Sequence, residues 1–326
     1  MLSGCGGKAA ARPPVEAYAQ QLVSSGALNA IAFASDHGRD YFASAGTPRP
    51  SEDEHFPIGS VTKAFTATIT LQLVQEKRLQ LDGTLGHYLP GVVRYGNSVT
   101  IRELLQHRSG LSDFTDETFK AALAVPSAGP IDALRIAGSR PLEFKPGTLW
   151  SYSNTNYIAL GLIIEKVTRR TYAHELQTRI LTPLGLHATS LSVSRRVADP
   201  TLPLLTPSLA WTAGGIVSDV RDLARFFSAL VSGRLISRST LVEMERTVSV
   251  GGQGGYAGDG LGIFVMDTPC GRFWGHSGAF PPGYYTLVDA SAARARTVIA
   301  VAKLPSFERS WIPPEMNSLL CTSVPS

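Results

Sequence analysis

The chain has 326 residues, 44% of them hydrophobic and 17% charged, which is enough apolar material for a substantial core and incompatible with wholesale disorder. Its 30 basic and 26 acidic side chains leave a formal charge of +4, and the bases are scattered rather than clustered among aromatics, which argues against nucleic acid as a partner. The longest apolar runs, Ile158–Ile164 and Thr297–Ala302, have the length of buried elements, too short to span a bilayer.

Residues 1–14 read as a flexible tether rich in glycine, alanine and proline. Within it, Leu2-Ser3-Gly4-Cys5 resembles a bacterial lipobox, in which the cysteine carries lipid. The charged and apolar leader that should precede it is missing, so the match is either a trimmed lipoprotein start or chance. If Cys5 is lipidated, Cys270 and Cys321 remain, either as a pair that an exported protein could oxidise or as two buried free thiols. The expected location is outside the cell, or at the bacterial envelope through Cys5.

The spacing then predicts an amphipathic helix over Val15–Ala27 and a hairpin of two short strands, Ala30–Ser35 and Tyr41–Ala45. Phe56-Pro57-Ile58-Gly59-Ser60-Val61-Thr62-Lys63 leads into a helix over Val61–Gln75 that carries apolar residues and no proline. Ser60 and Lys63 are three residues apart, on one face, so hydroxyl and amine can meet where the N–H groups of the helix start favour a negative oxygen. By itself the spacing fits an ordinary helix start.

Leu79–Pro90 reads as loop and Val99–Leu105 as a helix capped by Thr100. His107, at its end, is expected to bind the last helical carbonyls. A short helix falls at Ile131–Gly138. The polar and aromatic turn Trp150-Ser151-Tyr152-Ser153-Asn154 precedes an apolar helix over Ile158–Val167, so Tyr152 and Asn154 can point into one cleft. Further helices are predicted at Tyr172–Leu181, Val220–Ser232 and Ser239–Arg246, with the small, glycine-rich Trp211–Ile216 between them as non-helical chain. The period then changes to strands at Leu261–Asp267, Arg272–His276, Tyr284–Asp289 and Thr297–Lys303, with a closing helix over Glu308–Cys321. Strands at both ends with helices between predict an α/β domain (15–60 and 250–326) interrupted by a mainly helical one (61–249).

Gly275-His276-Ser277-Gly278 at a strand end has the start of a nucleophile elbow, but the fifth place is Ala279 and a strand follows instead of a helix, so that reading fails. Taken in order, Ser60-x-x-Lys63, Tyr152-Ser153-Asn154 and His276-Ser277-Gly278 resemble the serine hydrolases of the β-lactamase and DD-peptidase superfamily. The similarity extends through Leu104–Leu111, Trp211–Gly215, Gly260-Leu261-Gly262 and Gly283-Tyr284-Tyr285, and is nearest to the Streptomyces-type D-alanyl-D-alanine carboxypeptidases.

The resemblance implies an antiparallel sheet flanked by helices with an all-α insertion, the active site lying between them, and a disulfide joining Cys270 and Cys321. It implies Ser60 as nucleophile and Lys63 as its base, with an amine pKa depressed by burial and by positive charge partly from His276. Tyr152 would relay the proton to the leaving group, Asn154 would hold the substrate amide, and the N–H groups of Ser60 and Ala279 would form an oxyanion hole. Ser277, Gly278 and Trp211 would contact substrate. No metal or cofactor is called for.

Two departures bear on substrate. Phe264 stands where the carboxypeptidase has an arginine that grips a terminal carboxylate, and Ala279 stands where it has a threonine. The expected substrate is a D-alanyl peptide or related amide. The alternatives are a small ester taken into a pocket lined by Trp150 and Trp211, a β-lactam, or, in another class, a cell-envelope binding protein without turnover.

Overall fold

Alternation along the first strand, Asn29–Asp36, sends Ala30, Ala32 and Ala34 to one face and Ile31 and Phe33 to the other. Both faces are buried in the computed structural model, which describes residues 14–116, 129–191, 207–307 and 316–322. Cys5 and most of the expected tether lie outside those residues.

The strands described are β1 (Asn29–Asp36), β2 (Arg39–Gly46), β3 (Phe56–Pro57), β4 (Ser190–Leu191), β5 (Ile216–Ser218), β6 (Gly258–Asp259), β7 (Phe264–Thr268), β8 (Gly271–Phe280), β9 (Tyr284–Ser291) and β10 (Arg296–Lys303). Seven form one antiparallel sheet in the order β2-β1-β10-β9-β8-β7-β6, and β3-β5-β4 form a small second sheet. The alanine face of β1, with Val298, Ala300 and Ala302 of β10, is covered by the helices Pro14–Ser24 and Asn317–Cys321 through Tyr18, Leu22, Leu319 and Leu320. Small side chains there let the helices lie close to the sheet. The opposite face, with Ile31, Phe33, Val288 and Ile299, packs on the helical layer, where Phe65 and Phe226 stack at 3.6 Å between ring centroids. The result is the expected α/β class, an antiparallel sheet between helical layers.

Several boundaries differ from expectation, and three of them set the site. Ser60 lies in a single 3-10 turn, Gly59–Val61, ahead of the α-helix Thr62–Gln75. The helix Asn154–Thr168 begins four residues earlier than its apolar pattern, leaving Tyr152 in extended chain just before it. Strand β8 runs on to Phe280, so the His276–Gly278 triplet is part of the strand and not its end.

Pro207–Gly214 is helical on either side of a break at Trp211 (φ 25°, ψ −117°), where non-helical chain was expected. The loop Leu79–Pro90 contains a short helix, Leu85–Tyr88, capped by Thr84. The closing helix is described only over Asn317–Cys321, with Met316 as its cap, and residues 308–315 of the expected stretch lie outside the described residues. Cys270 and Cys321 are disulfide-bonded, with Cα atoms 5.4 Å apart.

Candidate active site

The turn that holds Ser60 is fixed on three sides. Its approach strand β3 pairs with β5, the Ile58 N–H donates to the Ile216 carbonyl at 3.0 Å, and Thr62 Oγ1 accepts from the Ile216 N–H. Gly59 is left-handed (φ +51°), and a Cβ there would sit 2.6 Å from the Ala279 carbonyl oxygen. A Cβ on Gly278 would fall on the Ile58 carbonyl oxygen and come within 3.1 Å of the Ser60 nitrogen. Two glycines thus let β8 lie directly against the nucleophile turn, bringing the Ala279 backbone beside that of Ser60.

Lys63 is fully buried one turn later. Its Nζ lies 3.0 Å from Ser60 Oγ, 2.8 Å from Asn154 Oδ1 and 2.7 Å from the Ala213 carbonyl oxygen. The strained backbone of Trp211 precedes the segment that presents this carbonyl, and the Thr212 carbonyl beside it accepts from Thr66 Oγ1. Burial lowers the Lys63 pKa to about 7, against a smaller opposing pull from Asp113. Two of its partners can only accept. A neutral amine donates its two hydrogens to Asn154 and Ala213 and turns its lone pair to the Ser60 hydroxyl.

Tyr152 hydrogen-bonds to Ser60, and its ring centroid is 4.9 Å from Lys63 Nζ. Burial pushes its phenol far above the ordinary value, so it is present as a neutral proton donor. His276 is buried, and its Nδ1 meets the Ser277 carbonyl. Its pKa is lowered to about 3, by burial first and by the charge of Lys63 second. The ring is neutral at pH 7, so the expected positive field from His276 on Lys63 is replaced by burial as the cause of the lysine's shift.

The cleft opens on both sides of Ser60. The larger lobe, about 590 Å³, includes Asp113, Asn154, Ala213, Ala279 and Phe280 in its lining. The smaller, about 290 Å³, is walled by Trp150, Tyr256, Phe264, His276, Ser277 and Gly278. Phe264 stacks on Tyr256 and meets His276 edge-on. Trp150 is anchored by its Nε1–H, which donates to Asp259 Oδ2 at 2.8 Å. Trp211, expected in the same pocket as Trp150, instead packs edge-on against Tyr172 and lines neither lobe.

Three residues of the site were missed from sequence. Asp113 accepts from Asn154 Nδ2 at 2.9 Å and from the Thr115 N–H at 3.0 Å, and faces the larger lobe. Asp259 holds Trp150. His107 does not bind helical carbonyls: its Nδ1 accepts the Ser153 N–H at 3.1 Å, next to Tyr152. The signal for Asp113 was its place two residues past the Leu104–Leu111 stretch; Asp259 had none beyond adjoining Gly260-Leu261-Gly262. Among the described residues no cluster of metal-ligating side chains occurs.

A buried amine of near-neutral pKa beside a serine and a phenol, between an antiparallel sheet and a helical layer, is an arrangement that can activate the serine as a nucleophile. The chain belongs to the Beta-lactamase family, whose profile matches residues 15–310. It is 29% identical over 273 residues to Penicillin-binding protein 4* of Bacillus subtilis, covering 75% of this chain and 59% of that one. It is 38% identical over 140 residues to Penicillin-binding protein 4 of Amycolatopsis lactamdurans, 41% and 35% of the two chains. The chain thus spans from about a third to three fifths of the length of these relatives. Among solved structures it is similar to a D-stereospecific amidohydrolase from Streptomyces sp. (31% identity, TM-score 0.83, 94% and 96% covered). The D-amino acid amidase of Ochrobactrum anthropi shares the fold at 24% identity (TM-score 0.78, 90% and 92% covered).

Proposed function

We propose that the protein hydrolyses D-configured amides and related esters that carry a free α-ammonium group, through an acyl-Ser60 intermediate. The observation that carries the chemistry is the Lys63 Nζ, 3.0 Å from Ser60 Oγ with its other two partners acceptors only. Lys63 takes the Ser60 proton as Oγ attacks the carbonyl carbon, and the N–H groups of Ser60 and Ala279 receive the developing oxyanion, a contribution of about 3 to 4 kcal/mol per donor. Tyr152 gives its phenolic proton to the leaving nitrogen as the carbon–nitrogen bond breaks, and Lys63 restores it. Water then enters and loses a proton to the neutral Lys63 as it attacks the ester, and Lys63 returns that proton to Ser60 Oγ as the bond breaks, leaving the acid and free Ser60.

Charge supports the substrate class. Asp113 lines the larger lobe, and no arginine or lysine occurs among the described residues lining either lobe. A cation suits that wall, and a free carboxylate does not. The aromatic smaller lobe suits an uncharged leaving group, and Asn154, held between Lys63 and Asp113, lines the larger lobe, which supports a role in meeting the amide. The similarity to the D-stereospecific amidohydrolase supports the stereochemistry.

The second reading, a D-alanyl-peptide carboxypeptidase, is favoured by the similarity to penicillin-binding proteins. Turnover of D- and L-phenylalanine amide and of an acetylated D-alanyl-D-alanine peptide separates the two, with the acyl adduct on Ser60 read by mass. Cleavage of the D-amide with little of the peptide is expected; cleavage of the peptide alone overturns the first reading, and no Ser60 adduct overturns both. We also propose export, which the Cys270–Cys321 disulfide supports. Lipidation at Cys5 is part of that proposal, read as a mass shift of the cell-derived protein.

A further inference from the structure

Tyr152 stands in extended chain between two gripped neighbours. The Ser151 N–H donates to the His107 carbonyl at 3.0 Å, and the Ser153 N–H donates to His107 Nδ1 at 3.1 Å. Between these two bonds the imidazole lies under the phenol, with ring centroids 4.2 Å apart and planes 27° from parallel. One residue therefore fixes the backbone on both sides of Tyr152 and the tilt of its ring.

The arrangement comes at a backbone cost. His107 is left-handed (φ 53°), a region that disfavours side chains, and in that turn its carbonyl and its ring both face the Tyr152 segment. Asn156 Nδ2 approaches the same Nδ1 at 3.3 Å, and Asn156 Oδ1 is itself held by the Ser109 hydroxyl. Because a backbone N–H can only donate, Nδ1 carries no proton and the ring is the neutral Nε2–H form. The ring is 1% exposed, and Lys63, His276 and Tyr157 are the charged or titratable neighbours that face it besides Tyr152.

We propose that His107 is a positioning residue for Tyr152, setting the phenolic oxygen on the line between Ser60 and the leaving nitrogen. The inference rests on the role given to Tyr152 above. It makes a prediction that a merely structural histidine would not: displacing the phenol harms only substrates whose leaving group must be protonated. An amide nitrogen departs only with a proton, whereas p-nitrophenolate departs without one.

The test compares kcat and KM for a D-amino acid amide and its p-nitrophenyl ester in wild type, Tyr152→Phe, His107→Phe and His107→Asn, with Tm measured for each. His107→Phe keeps a ring under Tyr152 and removes the acceptor; His107→Asn tolerates the left-handed backbone and keeps an acceptor. The expected result for His107→Phe is a ~10- to 100-fold loss of amide kcat, with KM and ester kcat changed by less than about threefold. His107→Asn recovers part of the amide rate. Equal losses on both substrates, or none, in His107→Phe overturn the inference while leaving the Tyr152 role standing. Should His107→Phe fail to fold, His107→Asn decides: an unchanged amide-to-ester ratio there overturns the inference, and a lowered ratio in the folded variant supports it. If Tyr152→Phe itself loses amide and ester turnover equally, the role of Tyr152 falls and the inference with it.

Discussion

Protonating Lys63 should switch off acylation of Ser60, and its burial fixes where. With the amine pKa at about 7, half of the molecules hold a neutral Lys63 at that pH, about one in ten at pH 6 and about one in a hundred at pH 5. Protonated, Nζ must donate to Ser60 Oγ as well as to Asn154 and Ala213, and no lone pair is left to accept the serine proton. The rate of Ser60 acylation by a fluorophosphonate, followed by intact mass, should therefore rise about tenfold per pH unit up to neutrality and level off above it.

Stability carries the same signature. An unfolded lysine keeps its proton up to about pH 10.5, whereas the folded one sheds it near 7, so between those values the unfolded state binds more protons and stability rises with pH. The full gap corresponds to about 5 kcal/mol at most, and Lys63→Met should lose that slope together with acylation. A flat acylation profile from about pH 5 to 8, or a midpoint above about 9, would refute burial as the source of the base.

Asp113→Asn should lower kcat/KM for an α-ammonium amide by about tenfold or more and leave the N-acetylated amide nearly unchanged, a split read from paired kinetics. Gly278→Ala would drive its methyl into the Ile58 carbonyl and push β8 off Ser60, cutting acylation by about two orders of magnitude or more in a folded protein. Asp289 is fully buried with both carboxylate oxygens unpaired among the described residues, and burial raises its pKa to about 8. The folded state there holds a proton that the unfolded state gives up near 3.8, so stability should fall as pH rises from about 4 to 8; Asp289→Asn should flatten that slope in thermal melts. Replacing Cys270 and Cys321 by alanine frees a loop of 51 residues and should cost about 4 kcal/mol in denaturant titrations.

Much of the framework was legible because it rests on local periodicity. Alternation gave the strands around β1 and β10, and an apolar run after a Gly-Ser turn gave the helix behind Ser60. The amine–hydroxyl meeting was readable because three residues on a helix bring it about. The contacts that complete the site were not, since Asn154 reaches Lys63 across 91 positions and Ala213 across 150. His107 was misjudged for the same reason: a histidine after a helix is locally a cap, and only the fold delivers the Ser153 N–H to its ring. Trp211 entered the pocket only through the resemblance. The residue composition there pointed to close backbone packing, and the backbone is what matters, bent so that the carbonyls of Thr212 and Ala213 meet Thr66 and Lys63.

The order of the large sheet has a consequence for the protein's synthesis. Strand β8, which sets Ala279 against the nucleophile turn, is held between β7 and β9, and β9 is joined through β10 to β1, whose Asp36 meets Arg296 across 260 positions. A nascent chain that has left the ribosome as far as residue 250 already owns its serine, amine and phenol but has no second amide to receive the oxyanion. In the proposed mechanism, oxyanion binding at Ala279 thus waits on strands β6 to β10, and a fragment ending at residue 250 lacks it.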